Sequence, residues 1–252
     1  MKRALIFLYG ITCYAAFFAV FLYAIGFIGN FAVPKTMDAP RGAGIWTAIA
    51  VNLGLLGLFA VQHSVMARPA FKRWWTRIVP EAAERSTYVL FSSLALAALF
   101  WLWQPMGGTV WSVTAPAAVN TIYAIYALGW ALLLYSSFCI NHFDLFGLRQ
   151  VWLQALGRPY TSLAFKTPWL YQQVRHPLYA GWLMIFWATP VMSVAHTLFA
   201  LMTTAYILVA VQLEERDLVD AHPEYAEYRR NVPMLIPGKR RGSPAPAMSR
   251  YG

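Results

Sequence analysis

Residues 5–27 read LIFLYGITCYAAFFAVFLYAIGF, a stretch from Leu5 to Phe27 without one charged side chain. A bilayer core about 30 Å thick is crossed by roughly 20 mainly apolar helical residues, so this run is long enough to span it. The same criterion finds five more uncharged runs, at 45–66, 88–103, 120–140, 179–194 and 196–213. The last two are short and almost contiguous, and Pro190 interrupts the first of them, so they are predicted to form a tight helical hairpin. The expected fold class is an all-α polytopic membrane protein, with five to six transmembrane helices, a C-terminal helical hairpin and a cytoplasmic cap. Composition agrees: 59% of the 252 residues are hydrophobic and 12% are charged, against about 45–50% and about 25% in an ordinary soluble domain.

Met1-Lys2-Arg3 ahead of an apolar run imitates a secretory signal, with Ala24-Ile25-Gly26 as a passable cleavage site. The run exceeds a signal-peptide core in length and is read as a retained helix. Cys13 and Cys139, the two cysteines, each lie inside an apolar segment. That distribution argues against a disulfide framework and fits a protein facing a reducing compartment.

Basic residues in short loops stay on the cytoplasmic side. Of the 20 Lys and Arg residues, 18 fall in the two tails and in the second and fourth loops; the first loop holds the other two, and the third and fifth loops hold none. The expected localisation is therefore integral to the cell (inner) membrane, with both termini cytoplasmic. The net charge of +10 is explained by topology, and no nucleic-acid partner is expected. Residues 1–237 are expected to form one integral membrane domain. Residues 238–252, with Lys239, Arg240, Arg241 and several prolines, are expected to be a disordered cytoplasmic tail on anionic head groups.

The second loop is basic and aromatic (Arg68, Phe71, Lys72, Arg73, Trp74, Trp75, Arg77) and reads as a helix lying in the head-group layer. Between residues 141 and 175, Trp152, Tyr160, Phe165, Trp169 and Tyr171 alternate with polar residues, as in an interfacial cap roofing a pocket. Ionisable groups at membrane depth are expensive, which makes them candidates for function. Gln62 and His63 close the second run, either as helix-end residues bonded to loose carbonyls or as site residues. Asn141, His142 and Asp144 follow the fourth run, and an imidazole oriented by a carboxylate is a usual general base near neutral pH. Cys139 and His142 share a helix face as two metal ligands could, but no further Cys/His cluster occurs and no metal is expected. Six of the ten acids, Glu214, Glu215, Asp217, Asp220, Glu224 and Glu227, follow directly on the last run. A solvated helix face would explain most of them. Glu214 and Glu215 adjoin Leu213 so closely that one should meet a cation at the membrane boundary.

One segment carries a resemblance. Arg175-His176-Pro177-Leu178-Tyr179-Ala180-Gly181, then an apolar hairpin, then Glu214-Glu215, Tyr225, Tyr228, Val232 and Pro233 resemble the isoprenylcysteine carboxyl methyltransferase superfamily. Its signature is an Arg-His-Pro-x-Tyr-x-Gly motif, a Glu-Glu pair and a Tyr-x-x-Tyr-x-x-x-Val-Pro ending. Ala221-His222-Pro223 departs from the Phe-Gly turn that relatives often carry there, which bears on turn geometry. Residues 62–68 and 141–149 narrow the similarity to the membrane-bound methanethiol S-methyltransferases. The resemblance implies methyl transfer from S-adenosylmethionine to methanethiol, a small thiol substrate, with residues 170–237 as the cofactor-binding part.

On that implication Glu214 or Glu215 meets the donor's ammonium, and Arg175 or Arg229 its carboxylate. Pro177 starts a helix whose first N–H groups hold an anion, with Gly181 in the same motif. Tyr179, Tyr225 and Tyr228 wall the adenine. A base must deprotonate the thiol, since alkyl thiols titrate at or above about 8.5; His142 oriented by Asp144 is the expected base and His176 the alternative. Within the same superfamily, isoprenylcysteine carboxylate or a phospholipid amine is the rival acceptor. A transporter would place charges at mid-membrane, yet all 30 Lys, Arg, Asp and Glu residues lie outside the six runs.

Overall fold

A computed structural model describes residues 1–40 and 42–238. The chain runs through α1 (Lys2–Gly29), α2 (Ile45–Ala67), α3 (Pro69–Trp75), α4 (Glu81–Leu102), β1 (Thr109–Ser112), α5 (Pro116–Ile140), α6 (His142–Leu145), α7 (Leu148–Ala155), α8 (Trp169–Gln173), α9 (Pro177–Trp187), β2 (Val191–Ser193), α10 (Val194–Ala221) and α11 (Tyr225–Asn231). Five of the helices, α1, α2, α4, α5 and α10, are long and apolar enough to cross a membrane, and α9 is a shorter apolar helix beside them. Their outward faces carry Leu8, Leu58, Leu94, Leu128 and Leu201, all exposed. A girdle of that kind is far more apolar than a water-soluble monomer tolerates, and it makes this an integral membrane protein. The expected tail begins at residue 238 and, from 239 onward, lies outside the described residues.

The hairpin forms as α9 and α10, and the joint between them is more elaborate than expected. Helix α9 ends at Trp187, short of Pro190, and β2 pairs antiparallel with β1 before α10 begins. The Ser193 hydroxyl caps α10 by accepting from the His196 N–H at 3.0 Å, and it also donates to Asp38 from the first loop. Asp38 in turn accepts from Asn30 Nδ2 at 2.7 Å. These bonds tie one end of the bundle together.

The interior packs Phe21, Phe27, Leu99, Trp130, Phe186 and Phe199 from α1, α4, α5, α9 and α10. Helices α5 and α9 lie backbone against backbone. A Cβ on Gly181 would come within 2.9 Å of the Gly129 carbonyl oxygen, and one on Gly129 within 3.0 Å of the Gly181 oxygen. Small residues permit such approach where lipid supplies no hydrophobic drive between helices.

At the other end of the bundle α3, α6, α7, α8 and α11 gather with most of the basic residues. Val151 of α7 packs on Gly10 of α1, and Arg85 Nε donates to the Leu145 carbonyl at 3.0 Å. Helices α2 and α10 run in the same direction toward this basic end: Ser64 faces Tyr206 with hydroxyls 3.0 Å apart, and further on Arg68 pairs with Asp217 at 2.9 Å.

Candidate functional site

His176 caps α9, and Pro177 occupies the first helical position, where its missing N–H costs nothing. The backbone N–H groups of Arg175 and His176 donate to the carbonyls of Pro233 and Met234, at 2.9 and 3.0 Å. The two distant parts of the motif are thus laced together through main chain. The Glu215 side chain, 4% exposed, fills the space between them. Its Oε1 accepts from Arg175 Nε at 2.6 Å, stands 2.9 Å from His176 Nε2, and accepts from the Tyr225 hydroxyl at 3.4 Å. Its Oε2 lies 3.0 Å from Arg229 Nε. Arg175 Nη1 also donates to the carbonyls of Arg229 and Val232. A buried carboxylate is stable only with such a complement of donors. Beside it Tyr225, Tyr228 and Val232 pack with Phe165 and Leu218, and burial raises both tyrosines above the ordinary phenol value.

Glu214, one position earlier on α10, is turned about 100° around the helix axis. It accepts from the Tyr179 hydroxyl at 2.8 Å and faces a cavity of about 1170 Å³. Arg175, His176, Tyr179, Tyr225 and Tyr228 share that wall. Glu215, Arg229, Pro177 and Gly181 are, among the described residues, not on it. The fold therefore separates the expected donor-binding residues into a wall group and a supporting group. Gly181 belongs to the α5–α9 contact.

Residues 161–167, with Tyr171, cover the basic end of the cavity. Arg149 holds this segment by donating from Nη1 to the Thr161 carbonyl and from Nη2 to the Thr161 hydroxyl, each at 2.8 Å. Asp144 accepts from Arg149 Nη1 at 2.9 Å and from the Tyr160 hydroxyl at 3.3 Å. The expected Asp144–His142 pair does not form. Asn141 adopts a left-handed backbone with φ of 96° and accepts the Asp144 N–H on its side-chain oxygen, so Asp144 turns toward the covering segment. His142 instead has Ser137 Oγ 2.9 Å from Nδ1 and the Tyr14 hydroxyl 2.8 Å from Nε2. Its ring stacks on Phe138 at 4.4 Å, and it lines the cavity. Burial holds His142 below the ordinary imidazole value. Cys139 and His142 belong to no group of three His, Cys, Asp or Glu side chains able to hold a metal among the described residues.

His63, left between two readings by the sequence, lies on the cavity wall with Tyr88 and Ser92 of α4. The Tyr88 hydroxyl is 2.8 Å from His63 Nε2, and Ser92 Oγ is 3.1 Å from Nδ1. Tyr88 and Tyr206 on the wall, and Tyr14 behind His142, are among the polar residues that sequence reasoning missed. Each sits inside an otherwise apolar run, which an uncharged phenol does not interrupt.

The chain is 56% identical over 238 residues to the methanethiol S-methyltransferase of Crocosphaera subtropica, covering 94% of this chain and 93% of that one. It is 54% identical over 238 residues to the methanethiol S-methyltransferase of Mycobacterium tuberculosis, covering 94% and 98%. A more distant similarity, 31% over 191 residues and 72% of each chain, links it to nurim of Sus scrofa. No family model matches the chain, and no solved structure matches it.

Proposed function

The chain belongs to the methanethiol S-methyltransferase family, and from that premise we propose that its methyl donor is S-adenosylmethionine, gripped at the cytoplasmic face of the cell membrane. It is a membrane-embedded thiol methyltransferase that methylates methanethiol. One observation carries the donor assignment. Two segments 40 positions apart, the Arg175-His176-Pro177 helix start and the Glu214-Glu215 helix end, meet at 2.6 and 2.9 Å beside one large cavity.

The wall chemistry fits the donor. A sulfonium and an ammonium want a carboxylate, and Glu214 supplies one facing the cavity, already steadied by Tyr179. The donor's own carboxylate is served by Arg175 and by the N–H groups of Leu178 and Tyr179 in the first turn of α9. Tyr171, Tyr225 and Tyr228 are the aromatic walls for adenine. In this reading Glu215 and Arg229 do not touch the donor. With His176 they lock Arg175 in its orientation, while Asp144 anchors the cover that keeps water from the reacting groups. S-adenosylmethionine supplies a methyl group on a sulfonium, and the chain's own residues align the thiol with it for direct displacement. The site is formed within residues 1–237, with 170–237 as the donor-binding part.

The side is supported by charge. The Arg175 and Glu214 wall of the cavity lies at the end where the basic loops gather, and the sequence alone assigns 18 of 20 Lys and Arg residues to the tails and loops of one side. Both termini are then cytoplasmic, where a charged donor that cannot enter lipid is available. Purified detergent-solubilised protein is expected to bind S-adenosylhomocysteine by calorimetry and to transfer labelled methyl from S-adenosylmethionine to methanethiol. Transfer that proceeds without S-adenosylmethionine, or no heat with S-adenosylhomocysteine, refutes the donor assignment.

A further inference from the structure

The cavity is larger than its established acceptor needs. Pockets that enclose a whole drug-sized ligand run to about 300–1,000 Å³, and this one reaches about 1170 Å³. Methanethiol has two non-hydrogen atoms. The donor accounts for one drug-sized share, and a volume far exceeding methanethiol is left over.

The leftover volume has a location. On α10 the wall residues Phe199, Thr203, Tyr206, Ala210 and Glu214 recur every three or four positions, forming one stripe. From Glu214 to Phe199 the stripe extends roughly 22 Å along the axis at 1.5 Å per residue. Its Glu214 end is the polar, covered end. Its other end is apolar, because Thr203 turns its hydroxyl onto the Phe199 carbonyl at 2.6 Å. Leu56 of α2 and Leu96, Leu99 and Phe100 of α4 line the same chamber.

Between the polar end and the chamber stands His63. Seven positions separate it from Leu56 on α2, which puts both on one helix face. Contact between Ser64 and Tyr206 brings α2 against α10 at this level, 3.0 Å apart at the hydroxyls. Phe59 stacks on the His63 ring at 5.1 Å, and the Tyr88 hydroxyl lies 2.8 Å from Nε2. A hydrogen-bonded polar pair, His63 and Tyr88, thus sits at the entrance of an apolar chamber.

We propose that this chamber is an acceptor site for alkanethiols of intermediate chain length, and that the enzyme methylates them as well as methanethiol. The proposal rests on the donor assignment above. The alkyl tail lies along Leu56, Leu96, Leu99 and Phe199, and the thiol points to His63 and Tyr88. The Tyr88 hydroxyl and His63 hydrogen-bond to the thiol and aim its sulfur at the donor, and the S–H proton is relayed along this pair to water. The sulfur lone pair forms the new S–CH3 bond as the donor's S–CH3 bond breaks and its electrons return to the donor sulfur. Products are an alkyl methyl sulfide, the neutral thioether S-adenosylhomocysteine and a proton released to water. Nothing is oxidised or reduced.

The test is a thiol series from one to ten carbons with purified enzyme and labelled S-adenosylmethionine. Alkyl methyl sulfides are quantified by gas chromatography, and free aqueous thiol is measured to correct for uptake by detergent. KM is expected to fall about fourfold per methylene until the chamber is full, at the transfer value for a buried CH2. Turnover of methanethiol with no product from thiols of three carbons and more overturns this inference and leaves the donor assignment standing; failure with methanethiol itself overturns the donor assignment. Leu96→Trp, which fills the chamber, is expected to lower the eight-carbon to one-carbon ratio of kcat/KM at least tenfold. An unchanged ratio refutes the placement of the tail, and if that variant does not fold the wild-type series still decides. His63→Gln breaks the relay and is expected to lower kcat about 10²-fold or more for every thiol alike; a variant that keeps wild-type kcat refutes the role of His63.

Discussion

Arg175 and Glu215 lie 40 positions apart in sequence, yet the Nε of one stands 2.6 Å from the Oε1 of the other. Their side chains are 11% and 4% exposed, and His176, Arg229 and Tyr225 complete the carboxylate's shell. Removing one member of a buried charged set leaves its partners uncompensated, at a cost of about 3–5 kcal/mol. Glu215→Ala is therefore expected to lower the thermal midpoint of the detergent-solubilised protein by many degrees and to abolish activity with it. Glu215→Gln keeps shape and one acceptor oxygen and should fall between the two. A Glu215→Ala midpoint equal to wild type removes the knot from the account.

Glu214 should behave in the opposite way. It faces the cavity and, among the described residues, its hydrogen-bond partner is the Tyr179 hydroxyl at 2.8 Å, so its loss leaves no buried charge stranded. Glu214→Gln is expected to melt near wild type. Hydrogen bonds to charged groups are worth about 1.5–3 kcal/mol, so calorimetry should record a Kd for S-adenosylhomocysteine weaker by about 10- to 150-fold. Unchanged affinity would move the ammonium site elsewhere.

Gly181 was expected among the donor-binding residues, and its surroundings give it another task. Its Cβ would meet backbone atoms, Gly129 O at 2.9 Å and Leu133 N at 3.0 Å, and backbone cannot swing aside as a side chain can. Gly181→Ala is expected to push α9 off α5 and to destabilise by about 1–3 kcal/mol, with Gly129→Ala doing the same. The thermal midpoint reads this directly. If both variants melt like wild type and only donor affinity suffers, Gly181 belongs to the donor site after all.

How far the sequence could be read follows from what each signal measures. Uncharged length located α1, α2, α4, α5 and α10, because a bilayer selects for that property alone, and Pro190 marked where the hairpin had to bend. The β1–β2 pair escaped notice because four residues and three residues, 79 positions apart at Ser112 and Val191, carry no periodicity. Adjacent acids cannot be told apart in a string of letters, whereas on a helix Glu214 and Glu215 point about 100° apart and take different partners. Proximity in sequence misled at His142 and Asp144. One left-handed residue, Asn141, reverses the local direction and sends the carboxylate to Arg149 and Tyr160.

His142 itself gives the last test. It sits among Tyr14, Ser137, Phe138 and Phe146, hydroxyls and rings that offer no negative charge to an imidazolium. Burial accordingly lowers its pKa from the ordinary value of 6.5. A native state that resists protonation binds fewer protons than the unfolded chain at pH values between the two pKa values, so stability rises with pH there. The contribution is fully present above about pH 6.5, the unfolded value, and is lost as pH falls toward the depressed native one. The thermal midpoint should accordingly drop between pH 7.5 and 5.5 more steeply for wild type than for His142→Gln, which cannot titrate but can still bond to Ser137 and Tyr14. Curves that run parallel would mean that His142 accepts a proton in the folded protein as readily as in water, and would return it to consideration as the base that the sequence first suggested.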